Sequence, residues 1–175
     1  WTGFHDWLSR TAVVGHRRAT TGAAAVPNPH VGMPAHAFPY RLGPYALSVD
    51  PANVAAGCVL EAYDTNLRRR VWIPILSASA PPIPPARRNL CRRGRLRWVN
   101  GARSPELSWD AYEAPDGCSL KAAVSARVPW GTVRHWLLHL AQEAQFTLCH
   151  EEPPLPLSLD RVWIAAGGAP ILLDL

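Results

Sequence analysis

The chain has a single lysine, Lys121, among 18 basic residues in 175. Chemistry that needs an ammonium group has one place to find it. The four cysteines (Cys58, Cys91, Cys118 and Cys149) form no C-x-x-C pair, which argues against a structural zinc site, and four are too few for a disulfide scaffold. Free thiols in a reducing, cytoplasmic compartment are the expectation. A membrane-spanning run is missing too. The longest uncharged stretch, residues 19–40, carries Pro27, Pro29, Pro34 and Pro39 and reads as an extended linker. No apolar run follows a basic start, and Trp1 opens the chain without Met, so an excerpt of a longer protein is expected, with any membrane tether outside it. No repeat recurs at 20–50 residues. Collagen, coiled coil and multi-domain enzyme are all excluded by length and composition.

Acidic residues are absent from Thr65 to Pro105, and ten arginines fall there: Arg68, Arg69, Arg70, Arg87, Arg88, Arg92, Arg93, Arg95, Arg97 and Arg103. Outside that stretch, 8 basic and 13 acidic side chains leave the chain net negative. Three readings compete. The stretch is a solvated basic face, a docking face for an acidic protein or acidic lipid, or a phosphate-binding stripe in which Trp72 and Trp98 stack on bases. Nucleic acid ranks last, because no binding motif frames the arginines.

Residues 1–39 read as a tail and Pro/Ala-rich linker with one short helix at Phe4–Arg10. From Tyr45 the pattern becomes that of a small sheet. Strands are expected at Tyr45–Val49, Cys58–Tyr63, Arg70–Leu76, Arg95–Val99 and Leu107–Ala114, with a helix at Arg87–Arg93 stopped by Gly94. Pro74 lacks an N–H and should confine its strand to an edge or a bulge. Asn100-Gly101 and Pro115-Asp116-Gly117 read as turns. In Trp130–Leu148, the residues Val133, Trp136, Leu137, Leu140, Ala144 and Leu148 follow the stripe of an amphipathic helix. Val162–Ile164 and Ile171–Leu173 flank Gly167-Gly168 as a hairpin. The expectation is an α+β fold: a five-stranded antiparallel sheet with one inserted helix, then a long helix and a hairpin.

That order resembles the protein kinase fold. Leu60-Glu-Ala-Tyr-Asp-Thr-Asn-Leu-Arg-Arg-Arg-Val-Trp-Ile-Pro-Ile-Leu is similar to the second and third strands of bacterial, eukaryotic-like Ser/Thr kinases, V-x-x-A-x-D-x-x-L-x-R-x-V-A-x-K-x-L. Glu113-Ala-Pro-Asp-Gly-Cys-Ser-Leu resembles the hinge segment E-x-x-x-G-G-S-L. Leu159-Asp-Arg-Val-Trp-Ile-Ala-Ala-Gly-Gly-Ala-Pro-Ile-Leu-Leu-Asp-Leu resembles D-L-K-P-x-N-I-L-x-x-x-G-x-x-K-L-x-D-F-G. The resemblance implies a small lobe at about 40–120 and the start of a larger lobe at 121–175. A remnant nucleotide site would comprise Gly57, Val59, Tyr112, Glu113 and Ala114, with Asp174 at the metal-binding position.

The departures are chemical. Phosphoryl transfer needs a glycine-rich loop, a lysine on the phosphates, metal-binding Asn and Asp, and a base. Two glycine positions fall at Ala52 and Val54, whose Cβ atoms hinder close approach to phosphates. The lysine position falls at Pro74, the lysine's glutamate partner near Ala86, the metal-binding Asn at Arg161, and the base near Pro156. Counting one residue off makes Asp160 the second metal ligand and still supplies no base. Asp174 then reads either as a remnant ligand or as a solvated carboxylate. His135 and His139, four apart on one helix, lack a third metal ligand fixed by spacing and read as a polar flank. Asp110 with Glu113, or Glu151 with Glu152, are carboxylate pairs on a strand and hinge and in a turn, without glycosidase context. Cys118 and Ser119 sit outside any G-x-S-x-G elbow. Trp72, Trp98, Trp109, Trp136 and Trp163 read as core residues with satisfied indole N–H groups.

The expectation is therefore a non-catalytic, pseudokinase-type interaction or regulatory module of a bacterial signalling protein, needing no cofactor. Its partner would be an acidic protein, or acidic lipid, at the arginines. The alternatives are a divergent Ser/Thr kinase using ATP and magnesium, and an arginine-rich nucleic-acid-binding module.

Overall fold

A computed structural model describes residues 38–149 and 157–175. The expectations at Phe4–Arg10, Glu151, Glu152 and Pro156 lie outside the described residues. Among the described residues nine strands and three helices follow in order: β1 (Tyr40–Leu42), β2 (Tyr45–Leu47), β3 (Val59–Asp64), β4 (Arg69–Leu76), α1 (Pro85–Arg88), β5 (Trp98–Ala102), β6 (Ser108–Glu113), β7 (Gly117–Ser119), α2 (Leu120–Ala123), α3 (Trp130–Cys149), β8 (Val162–Ala165) and β9 (Pro170–Leu172). Strands β1–β6 make one antiparallel sheet in the order β1-β2-β3-β4-β6-β5, and β7-β8-β9 make a second.

The first sheet has six strands where the sequence predicts five. The extra one is β1, three residues long and joined to β2 across Gly43-Pro44. Three residues are too few to show a period. The second sheet gains β7, because Gly117 brings the hinge backbone against Ile164 so closely that a Cβ would overlap the Ile164 carbonyl.

Alternation on β4 builds two cores from one strand. Val71, Ile73 and Ile75 enter a cluster with Tyr45, Leu47, Leu60, Ala62, Trp109 and Ala111. Trp72 points to the other face, with Leu96, Tyr112 and Ala114, where Trp163, Ile171 and Leu173 pack from the second sheet. A third cluster joins Trp136 of α3 to Val162, Ile164 and Leu172.

Pro74 does not confine β4 to an edge. The strand lies between β3 and β6. The Ile75 N–H donates to the Cys58 carbonyl at 2.9 Å, so alternation turns the Pro74 nitrogen toward β6. There the paired residues skip from Trp72–Tyr112 to Ile75–Trp109, and the missing donor is absorbed at that gap.

Four further expectations are corrected. Asn100-Gly101 lies inside β5, paired with Ala111 and Asp110 just after a register shift between Trp98 and Asn100, and is not a turn. Asn100 Oδ1 accepts the Gly101 N–H at 2.8 Å, and a Cβ at Gly101 would overlap Asp110 Oδ1. Helix α1 is one turn, shifted to start at Pro85 and stopping before Asn89. It has no side-chain cap and no acid in its first turn, and Arg88 and Arg92 would repel at i, i+4 if it continued. Arg95-Leu96 lies before β5 and makes a parallel bridge from Arg95 to Leu172 of β9. On α3 the buried residues are Trp136, Glu143 and Thr147, while Leu137 and Leu148 are 53% and 71% exposed. The stripe read from the sequence is rotated relative to the one that packs.

Candidate functional site

The loop before β3 is closed on itself. Pro51–Asn53 is a single 3-10 turn capped by Asp50, whose Oδ1 accepts the Ala52 N–H at 3.0 Å and whose Oδ2 accepts Asn53 Nδ2 at 3.2 Å. The N–H groups of Asn53, Val54 and Cys58 bond to carbonyls of the same loop, and that of Gly57 to Ile75 at 2.7 Å. Val54 packs on the first core. A loop with the amides of Ala52, Asn53, Val54, Gly57 and Cys58 already bonded, and a carboxylate at its cap, is a poor cradle for phosphate.

The hinge is bonded in the same way. The Glu113 N–H donates to the Arg97 carbonyl at 2.9 Å and the Ala114 N–H to that of Arg70 at 3.2 Å. Pro115 has no N–H. Arg69 Nη1 reaches Glu113 at 3.3 Å, and Arg70 bridges Glu61 to Asp116, the latter at 3.2 Å. Beside the hinge, the indoles of Trp72 and Trp163 meet edge to face, 4.8 Å between centroids, over Tyr112 and Ala114. The Trp163 Nε1 is buried without a hydrogen-bond partner, against the expectation of satisfied indoles. Those of Trp98 and Trp136 are satisfied, by Asp110 Oδ1 at 3.1 Å and the Gly168 carbonyl at 3.0 Å. Burial, chiefly, pushes the Tyr112 hydroxyl pKa well above the phenolic range, with the Asp110 carboxylate adding to the rise.

Asp174 is not solvated. Its side chain is 8% exposed and forms ion pairs with Arg87 Nη2 and, at 3.7 Å, with Arg95 Nη1. Arg95 Nε donates to Glu143 Oε1 of α3 at 2.9 Å, and Arg92 Nη2 reaches the same oxygen at 3.1 Å. Arg92 also lies 4.1 Å from the Phe146 ring centroid. The segment from α1 to Arg95 is thus fastened to α3 and to the end of the chain after β9 by three guanidinium groups and two carboxylates. Sequence reasoning missed Glu143. It sits 48 residues from its partner Arg95 and interrupts an apolar stripe, and no local pattern marks it.

The other expected positions scatter. Val59 pairs with Pro74 across β3–β4 and is exposed. Arg161 ends the 3-10 turn Leu159–Arg161, and its carbonyl accepts the Leu173 N–H at 2.8 Å. Lys121 is exposed on α2, beyond the hinge. No lysine therefore replaces Pro74, and two guanidinium groups stand at Asp174. Among the described residues no three His, Cys, Asp or Glu side chains gather as a metal site, and the His135 and His139 rings lie tilted against one another, 4.4 Å between centroids. The described helices include none long and apolar enough to cross a membrane.

Magnesium and ATP do not fit the residues present. The one carboxylate at the metal position is ion-paired with two arginines, and the N–H groups of Ala52, Asn53, Val54, Gly57, Cys58, Glu113 and Ala114 are bonded to protein carbonyls or Asp50.

The arginine stretch is largely neutralised within the fold. Arg69, Arg70, Arg87, Arg92, Arg95, Arg97 and Arg103 each contact a carboxylate drawn from outside the acid-free stretch, among them Asp64, Asp110 and Glu113. Among the described residues Arg68, Arg88 and Arg93 have no such partner. A face that is mostly solvated cations is not what these residues build.

No family model matches the chain, and no curated protein does. Among solved structures it is similar to "PpkA-294 apo form", from a bacterial Ser/Thr kinase, with a TM-score of 0.61 at 16% sequence identity. The match covers 77% of this chain, and the chain spans 59% of the length of that one. At that identity the likeness is one of fold, and the fold is kinase-like.

Proposed function

We propose that this kinase-like unit is a non-catalytic interaction or regulatory module, a pseudokinase, within a signalling protein. The observation that carries the reading is the pairing of Asp174 with Arg87 and Arg95. A carboxylate that must bind a divalent cation instead faces two guanidinium groups as ion-pair partners, one of them from the inserted helix α1. The packed indoles beside the hinge support the same reading, because an adenine edge at Glu113–Ala114 would need that space. What the fold keeps is a rigid sheet with its inserted segment bonded down, which suits the display of surfaces more than turnover.

Thermal unfolding with and without ATP and magnesium tests this, together with an assay for transfer to a generic protein substrate. A ligand present at about 100 times its Kd adds about 2.7 kcal/mol. For a chain of this size that raises Tm by about 5–10 °C. The expected result is no shift and no transfer. A shift of that size with transfer would show the divergent-kinase alternative to be right.

A further inference from the structure

Between α1, β5 and β6 lies a shallow pocket of about 140 Å³, lined by Pro82, Ile83, Arg88, Trp98, Ala102 and Arg103. Its floor is built by a buried polar knot. Asp110 accepts from Trp98 Nε1 at 3.1 Å and from Arg103 Nη2 at 2.7 Å, so its charge is spent. Its rim already holds extended, proline-rich chain. Arg103 Nη2 donates to the Pro81 carbonyl at 3.2 Å, and Arg88 Nε donates to the Ile83 carbonyl at 2.8 Å. The Arg88 guanidinium also lies over the Trp98 ring, 5.5 Å from its centroid.

Those two donors are taken by this chain's own Pro81 and Ile83 carbonyls, and what is left for an extended proline-containing segment is the aromatic wall of Trp98 and the charge beside it. The open volume has room for one proline or leucine side chain. The uncompensated charge beside it is positive. Arg88 is exposed and has no carboxylate partner among the described residues, and the one acid in the lining, Asp110, is neutralised by Arg103.

We propose that this pocket docks an extended, acidic, proline-containing segment of a partner protein. One apolar side chain of the segment enters against Trp98 and Ala102, and a carboxylate beside it pairs with Arg88. The proposal rests on the interaction-module reading and gives that module its partner chemistry. It also narrows the arginine stretch to one usable cation next to an apolar socket.

The test is fluorescence anisotropy on the full chain with the labelled peptide Pro-Leu-Pro-Glu-Glu, beside Pro-Leu-Pro-Gln-Gln and Gly-Ser-Gly-Glu-Glu. Saturable binding is expected for the first peptide. The Gln peptide should bind about threefold to fivefold more weakly, and Arg88→Gln should weaken the Glu peptide by the same factor. The Gly-Ser peptide should show no saturable binding. Ala102→Leu fills the socket from an exposed position without touching the Asp110 knot, and it should abolish binding. Absence of saturable binding by Pro-Leu-Pro-Glu-Glu overturns the proposal. So does equal binding of that peptide to the parent, Arg88→Gln and Ala102→Leu chains, or binding of Gly-Ser-Gly-Glu-Glu as tight as that of the proline peptide. Nucleotide binding is read separately. A chain that binds ATP and not the peptide refutes both readings, and one that binds neither refutes the docking proposal alone.

Discussion

Replacing Glu143 with Ala removes the carboxylate that fastens the α1–β5 connection to α3. The Glu143 side chain is 10% exposed and serves Arg95 at 2.9 Å and Arg92 at 3.1 Å. The Arg95 side chain is only 4% exposed. Removing one partner of a buried pair costs about 3–5 kcal/mol, because the other charge is left in a poor medium. Here part of that cost is recovered. Arg95 keeps its 3.7 Å contact with Asp174, and Arg92 keeps the Phe146 ring. The expected loss is therefore about 2–4 kcal/mol. It should appear as a fall in Tm of about 5–12 °C. Urea unfolding followed by tryptophan fluorescence should show a lower midpoint with an unchanged slope. Glu143→Gln retains an acceptor for Arg95 Nε and should lose about half as much. A Glu143→Ala chain within about 0.5 kcal/mol of the parent would refute the claim that this carboxylate joins the elements.

Two other outcomes follow from the geometry. Gly101→Ala places a Cβ on Asp110 Oδ1 and forces the carboxylate away from Arg103 and Trp98. A loss of about 2–4 kcal/mol in chemical denaturation is expected, since a buried ion pair is disturbed, and an unchanged midpoint would count against the knot. Tyr45 and Tyr112 have hydroxyl pKa values raised chiefly by burial. A group protonated in the folded state at a pH where the unfolded chain has released its proton stabilises the fold below the unfolded pKa and loses that contribution above it. Stability should therefore decline from about pH 10 upward. In an ultraviolet titration, Tyr112 should ionise only as the chain unfolds and Tyr45 above the ordinary phenolic range, and titration of both in the folded chain near the ordinary phenolic pKa would contradict the packing.

Sequence pattern reached the parts of the fold that are local or punctuated. The alternation in Val59–Asp64, the apolar run of β4 and the long helix Trp130–Cys149 were each readable from neighbouring residues. So was the identity of the group at position 74. What escaped depended on distant partners. The Asn100-Gly101 pair has the chemistry of a turn, yet it runs on as strand opposite Ala111 and Asp110, with Asp110 filling the space a side chain at 101 would need. Pro74 reads as an edge or bulge residue because a strand cannot reveal which neighbour its missing donor faces. The acid-free arginine stretch invites the reading of a bare cationic surface, and its neutralising carboxylates lie elsewhere in the chain. The site was legible as a set of absent groups. The groups that occupy it, Arg87, Arg95 and Glu143, were visible only once the chain was folded.

The most direct measurement is the unfolding free energy of Asp174→Asn against the parent, with and without ATP and magnesium. If Asp174 holds α1 and Arg95 to the end of β9, the variant loses about 1–3 kcal/mol in either condition, because two guanidinium groups lose their counter-charge. If Asp174 instead serves a metal-bound nucleotide, the variant matches the parent in plain buffer and differs only by losing the stabilisation that ATP and magnesium confer. That second pattern would contradict the account.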